Sequence, residues 1–160
     1  MNFRNAFGYL LGFVLFILLI PGLMVYSAGS VQPEPVGIAC LIVFSAVGIG
    51  LSIWSIIYMK RVGKGNPMDA FNHAVAPRTC ELMTDGPYKI CRNPMLLGIL
   101  LYYTGILLFL HAWKPVVIFA VFFLIMMFQV SKEERRLEED FGDAYTEYKK
   151  TTKKIIPFIF

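Results

Sequence analysis

Charge is the scarce ingredient of this sequence. Only 16% of its 160 residues are Asp, Glu, Lys or Arg, where a soluble domain carries roughly a quarter. Whole stretches lack charge altogether: none falls in 7–26 and none in 36–59. A helix on a water-soluble core shows polar residues every turn, so uncharged blocks of this length exclude the soluble reading and mark membrane spans. Each is long enough, at about 1.5 Å per residue, to cross roughly 30 Å of hydrocarbon. Cysteine and histidine are sparse too, with three and two residues. Cys40 lies in an apolar block and Cys80 and Cys91 in a polar one. No Cys–His spacing suits zinc, so no metal is expected, and the cysteines read as free thiols in a reducing compartment.

What is present is apolar: 57% of the residues are hydrophobic. Two further blocks, 94–110 and 115–130, are shorter. His111, Ala112, Trp113, Lys114 and Pro115 divide them and read as a tight interfacial turn, with Trp113 at headgroup level and Lys114 snorkelling. The pair is expected to form a helical hairpin; the alternative is one long helix broken at Pro115. The expectation is an all-α integral membrane protein of about four spans, forming a single membrane domain over 1–160. The first block exceeds the roughly 7–15 residues of a signal-peptide core and is read as a retained helix. Gly8 and Gly12 are spaced for helix packing.

Lysine and arginine set the orientation. Lys60, Arg61, Lys64, Arg78, Lys89 and Arg92 lie between the second and third spans. Lys132, Arg135, Arg136, Lys149, Lys150, Lys153 and Lys154 follow the fourth. The opposite loops hold only Lys114. Both termini are therefore expected on the cytoplasmic side, with 60–93 and 131–160 as cytoplasmic segments. The net charge of +4 reflects this topology and the anionic bilayer surface, not a nucleic-acid partner.

Segment 60–93 is long for a loop and mixes glycine and proline with Met68, Phe71, Val75, Leu82 and Tyr88, as an ordered interfacial segment would. In the tail, Leu137, Phe141, Tyr145 and Tyr148 fall on one helical stripe. Extended backwards, that stripe reaches Glu134 and Glu133 and turns both inward, leaving Arg135, Glu138 and Glu139 off it. The helix is expected to continue the fourth span, with an interruption at Gly142.

Two clusters have chemical potential. Arg92 and Asn93 precede a helix starting at Pro94, where proline suits the first turn and asparagine suits the N-cap. A structural reading, a positive-inside arginine and a cap, accounts for both. Glu133 and Glu134 sit at the exit of the fourth span; inward carboxylates at a membrane boundary tend to be functional. An antiparallel hairpin returns the two clusters to one level. Arg92 would then hold an anionic group bidentately, a glutamate would meet a cationic or hydroxyl group, and the first N–H groups of the third helix would receive a carboxylate.

These residues also resemble a family. Gly86-Pro87-Tyr88, Arg92-Asn93-Pro94 with Gly98, Glu133-Glu134, Phe141-Gly142 with Tyr145 and Tyr148, and the closing Ile156-Pro157-Phe158 are similar to the membrane methyltransferase superfamily. That superfamily includes isoprenylcysteine carboxyl methyltransferases and phospholipid N-methyltransferases. The resemblance implies S-adenosylmethionine as cofactor, with Tyr88, Arg92, Asn93, Met95, Leu97, Gly98, Glu133 and Glu134 around it and Arg92 and Glu134 in catalytic roles. Two positions depart from the pattern: Asn93 stands where histidine is usual and Leu96 where tyrosine is usual. Asparagine donates and accepts hydrogen bonds but takes up no proton.

The implied reaction is methyl transfer to a lipophilic, membrane-resident acceptor. A carboxylate acceptor needs no base, whereas an amine must lose a proton, for which Glu134 is the candidate. Two alternatives stand beside it. One is an NADPH-dependent membrane reductase of the sterol reductase type, and the other is a non-catalytic membrane scaffold.

Overall fold

The computed structural model describes residues 10–63 and 81–156. The expectations for Gly8, Lys64, Met68, Phe71, Val75, Arg78, Cys80, Pro157 and Phe158 lie outside those residues. Within them the chain is helical, without strands. Helix α1 (Leu10–Ala28) and α2 (Pro35–Gly63) are followed by a short 3-10 turn, Gly86–Lys89. Helices α3 (Pro94–Leu110) and α4 (Trp113–Phe141) come next, and an interfacial helix α5 (Asp143–Thr151) closes the series.

Helices α1, α2 and α4 are long and apolar enough to span a bilayer, while α3 has 17 residues and reaches only about 26 Å. The fourth helix begins at Trp113 rather than 115 and runs unbroken to Phe141, so its last three turns or so carry the charged residues beyond the apolar stretch. The turn between α3 and α4 is also tighter than the five residues expected. It needs only His111 and Ala112, because His111 takes the left-handed conformation (φ 45°, ψ 36°) and reverses the chain at once. Pro115 then falls in the first turn of α4, where its missing N–H leaves no bond unmade. Trp113 is exposed at this end, as an interfacial anchor would be.

Although α3 and α4 are joined as a hairpin, the closest packing is between α2 and α3. Gly48 and Gly98 face each other so tightly that a Cβ on Gly48 would overlap the Gly98 carbonyl, and one on Gly98 would overlap Ser52 Oγ and the Gly48 carbonyl. Gly105 admits Phe44 and Gly37 meets the backbone of Leu108 and Phe109 in the same antiparallel register. Small residues on both faces let the backbones approach, which is how helices gain van der Waals contact where lipid removes the hydrophobic drive. Ser52 Oγ donates to the Met95 carbonyl at 3.1 Å and closes the seam at its polar end.

Helix α1 packs on α4 and is tied to α3 by one polar contact. Tyr103, fully buried, donates its hydroxyl to the Phe16 carbonyl at 2.9 Å. Phe16 sits in a π-helical turn, Val14–Leu19, a geometry that disturbs the helical hydrogen-bond ladder. Phe122 stacks at 4.9 Å from the Tyr103 ring. Outward, Ile42, Val43, Val47, Leu124, Ile125 and Phe128 are exposed and form the lipid-facing surface.

Candidate functional site

At the end of the bundle opposite the His111 turn, a second apolar cluster caps the helices. Met83, Tyr88, Tyr145 and Tyr148 are buried together, with Tyr58, Leu137 and Phe141 against them. The tail stripe therefore does face the protein, and Gly142 (φ 52°) breaks the helix as expected. The approach to Tyr88 is set by Gly86: it holds φ 60°, and a Cβ there would lie 2.6 Å from the Tyr58 ring. Tyr148 then donates to the Tyr88 carbonyl at 2.6 Å, locking α5 to the turn.

Arg92 and Glu134, 42 residues apart in sequence, meet directly. The guanidinium Nε and Nη2 lie 2.8 and 2.7 Å from Glu134 Oε1, and both side chains are 9% exposed. Arg92 Nη1 donates to the Thr152 carbonyl and, at 3.4 Å, to the Lys149 carbonyl. Its backbone N–H donates to the Lys153 carbonyl at 2.8 Å. Lys154 Nζ completes the group, 3.0 Å from Glu134 Oε2. Arginine suits this position because its planar fork serves a carboxylate and two carbonyls at once, which a lysine point charge does not.

Asn93 differs from expectation. It occupies the N-cap of α3, but its side chain makes no capping bond; Nδ2 donates instead to the Lys154 carbonyl at 2.9 Å. The returning C-terminal segment offers carbonyls lacking partners, and the amide satisfies one of them. Arg92 likewise has every guanidinium nitrogen engaged within the chain.

Beside this ion pair lies a cavity of about 100 Å³. Tyr88, Arg92, Asn93, Met95, Glu133 and Glu134 all line it, as do Tyr145 and Tyr148. The structure thus brings six of the expected cofactor residues to one place. Leu97 and Gly98 are not among its walls: Leu97 packs against the main core and Gly98 against α2. The rest of the lining is largely apolar and includes Met59, Leu82, Met83, Leu96 and Met126. Among the described residues no group of His, Cys, Asp or Glu is arranged to hold a metal.

Burial raises the Tyr88 hydroxyl well above the usual tyrosine range, and the negative charge of Glu133 adds to it. Burial likewise raises Tyr145 and Tyr148. All three stay protonated at physiological pH, and Tyr148 donates to the Tyr88 carbonyl. Cys91 is fully buried, and burial pushes its thiol from 9.0 up to about 11. The folded state then holds this proton more tightly than the unfolded chain does. Its stabilising contribution is complete below pH 9 and is lost as pH rises through about 11. Maleimide labelling at pH 8 in mild detergent is expected to leave Cys91 unmodified and to reach it only after unfolding, read by mass spectrometry of the peptide.

Sequence reasoning missed two residues here. Gln129 lines the cavity from within the fourth span. Its signal was available: it is the one polar residue in 115–130, four and five positions before Glu133 and Glu134. Lys154 carried no such signal, standing in a run of basic residues whose return to Glu134 only the fold decides.

The fold and site together define an all-helical integral membrane protein with a mostly apolar cavity that charged side chains border. The phospholipid methyltransferase family model matches residues 36–144, and the chain belongs to that family. That match spans α2 to α4 and stops short of the segment carrying Lys154. The chain is also similar to a Schizosaccharomyces pombe protein, "Protein-S-isoprenylcysteine O-methyltransferase", at 30% identity over 106 residues. The similarity covers 64% of this chain and 45% of that protein, so the chain spans about half the relative's length.

Proposed function

We propose that this protein is a methyltransferase that uses S-adenosylmethionine and acts on a lipophilic acceptor drawn from the bilayer. The observation that carries the reading is the convergence of Tyr88, Arg92, Asn93 and Met95 with Glu133 and Glu134 on one cavity whose remaining lining is largely apolar. Family membership favours methyl transfer over hydride transfer. The lining fits the cofactor in kind: carboxylates for cationic groups, the Tyr88 and Tyr145 hydroxyls for oxygens, and methionine and leucine surface for a purine. The described walls enclose about 100 Å³, below the roughly 300–1,000 Å³ of typical ligand sites, so admitting the cofactor requires those walls to part.

When bound, the cofactor supplies an electrophilic methyl group on a cationic sulfur. Glu133 brings negative charge to the cavity wall, complementary to such a centre. Glu134 holds Arg92 and Lys154, and through them fixes the start of α3 against the C-terminal segment. The three tyrosines stay protonated, and among the described residues no histidine lines the cavity. A carboxylate acceptor therefore needs only positioning and exclusion of water, while an amine acceptor would pass its proton to Glu133 or Glu134. The name of the yeast relative suggests a prenylated cysteine as the first acceptor to assay. We place both termini in the cytoplasm on the lysine and arginine count.

Calorimetry in detergent tests the site. S-adenosylmethionine is expected to bind and NADPH not to. Glu133→Gln, which leaves the Arg92–Glu134 pair intact, is expected to weaken cofactor binding about tenfold; Arg92→Ala and Glu134→Ala are expected to abolish it. Unchanged affinity in all three variants overturns the assignment.

A further inference from the structure

Gln129 has no task in the cofactor site described above, and its surroundings point to one. Along α4 the cavity is lined by Met126, Gln129, Val130, Glu133 and Glu134, spaced so that Gln129 stands about one turn, roughly 6 Å, to the membrane side of Glu133. Met126, Val130, Met95 and Leu96, which line the same cavity, are apolar. Among the described residues its amide makes no side-chain hydrogen bond. A polar group within a span is unfavourable unless it is paired or has a task. Gln129 is half-buried; buried Ser55 and Tyr103 and half-buried Ser52 and Thr104, also in the spans, are all paired with backbone carbonyls.

We infer that Gln129 binds the reactive head of the lipophilic acceptor at the point where the apolar part of the cavity gives way to the charged part. This rests on the methyltransferase reading. An acceptor anchored in the bilayer meets the cavity from the α4 membrane side, with its chain against methionine and leucine surface and its head at the level of Gln129. An amide suits that depth. It carries both a donor and an acceptor, so it orients a carboxylate through N–H or an amine through its oxygen, without placing a charge in the span.

The test uses the full chain in lipid nanodiscs. The readouts are the S-adenosylmethionine Kd, the Tm, and transfer of labelled methyl to three acceptors: a prenylated cysteine carboxylate, phosphatidylethanolamine and a total membrane lipid extract. For Gln129→Leu, cofactor Kd and Tm are expected within twofold and about 2 °C of wild type. Its kcat/KM on the acceptor used by wild type is expected to fall at least tenfold, mainly through KM. Gln129→Asn is expected to recover part of the loss. Gln129→Glu is expected to lose more than the leucine variant on the carboxylate and less on the amine. Two results overturn the inference: kcat/KM within threefold of wild type in Gln129→Leu, or a cofactor Kd that rises in step with the loss. Failure of the underlying reading looks different, because wild type itself then binds no S-adenosylmethionine and labels none of the three acceptors.

Discussion

Gly98→Ala is expected to lower the melting temperature in detergent by roughly 5–10 °C, and Gly98→Val to prevent recovery of folded protein. The added Cβ would overlap the Gly48 carbonyl and Ser52 Oγ, and would stand 3.0 Å from the Ser52 backbone nitrogen. A side chain could turn aside, but two of these three atoms are backbone, so the helices themselves must separate. Overpacking of this kind costs about 1–3 kcal/mol or more, which in a chain of this size corresponds to several degrees of Tm. Separation also breaks the Ser52–Met95 hydrogen bond, and Met95 lines the cavity; cofactor binding should weaken with stability. Gly50→Ala is the control. Nothing lies within 4 Å of its would-be Cβ, and alanine is favoured over glycine in a helix by roughly 0.5–1 kcal/mol. If Gly98→Ala melts with Gly50→Ala, the close approach of α2 and α3 is not as described.

Glu134→Ala is expected to destabilise the protein by about 3–5 kcal/mol, since removing one partner of a buried pair leaves the other uncompensated. Here it strands two cations, Arg92 at 9% exposure and Lys154 at 19%. Glu134→Gln keeps an acceptor oxygen and should lose less. Arg92→Ala should act differently, by freeing the C-terminal segment from three backbone anchors: the Thr152 and Lys149 carbonyls held by its side chain and the packing that positions the Lys153 carbonyl over its N–H. Limited trypsin digestion reads this directly. Cleavage at Lys149, Lys150 or Lys153 is expected to accelerate at least tenfold, ahead of loss of the helical core. Arg92→Lys should not restore protection, because one ammonium does not span a carboxylate and two carbonyls. In a double-mutant cycle the Arg92→Ala and Glu134→Ala effects are expected to couple by about 0.5–3 kcal/mol; strict additivity would show the pair to be independent.

Both predictions concern contacts that no local pattern announces. The membrane class and the spans were legible because a bilayer imposes a length and an absence of charge on consecutive residues, and consecutive residues are what a sequence displays. The inward aim of Glu133 and Glu134 was legible for a related reason: helical periodicity carries the stripe of Leu137 back to them through a continuous helix. The break at Gly142 and the first-turn placement of Pro94 followed from backbone preferences of single residues. Asn93 shows where such preferences end. Its type suits an N-cap, yet its amide serves the Lys154 carbonyl, since a segment arriving from 61 residues away presents an acceptor that local reasoning does not contain.

The sequence by itself therefore determined the solvent of this protein, its all-helical class, and the two clusters that bracket the candidate site, because each depends on composition or on spacing within one helix. Only the tertiary structure decided that Arg92 clamps Glu134 and the C-terminal segment, that Lys154 joins them, that Gly48 and Gly98 form the closest seam, and that Gln129 opens onto the same cavity. These are choices between partners on different helices. They turn on which backbones approach most closely, a property of packed surfaces that no single stretch of chain encodes.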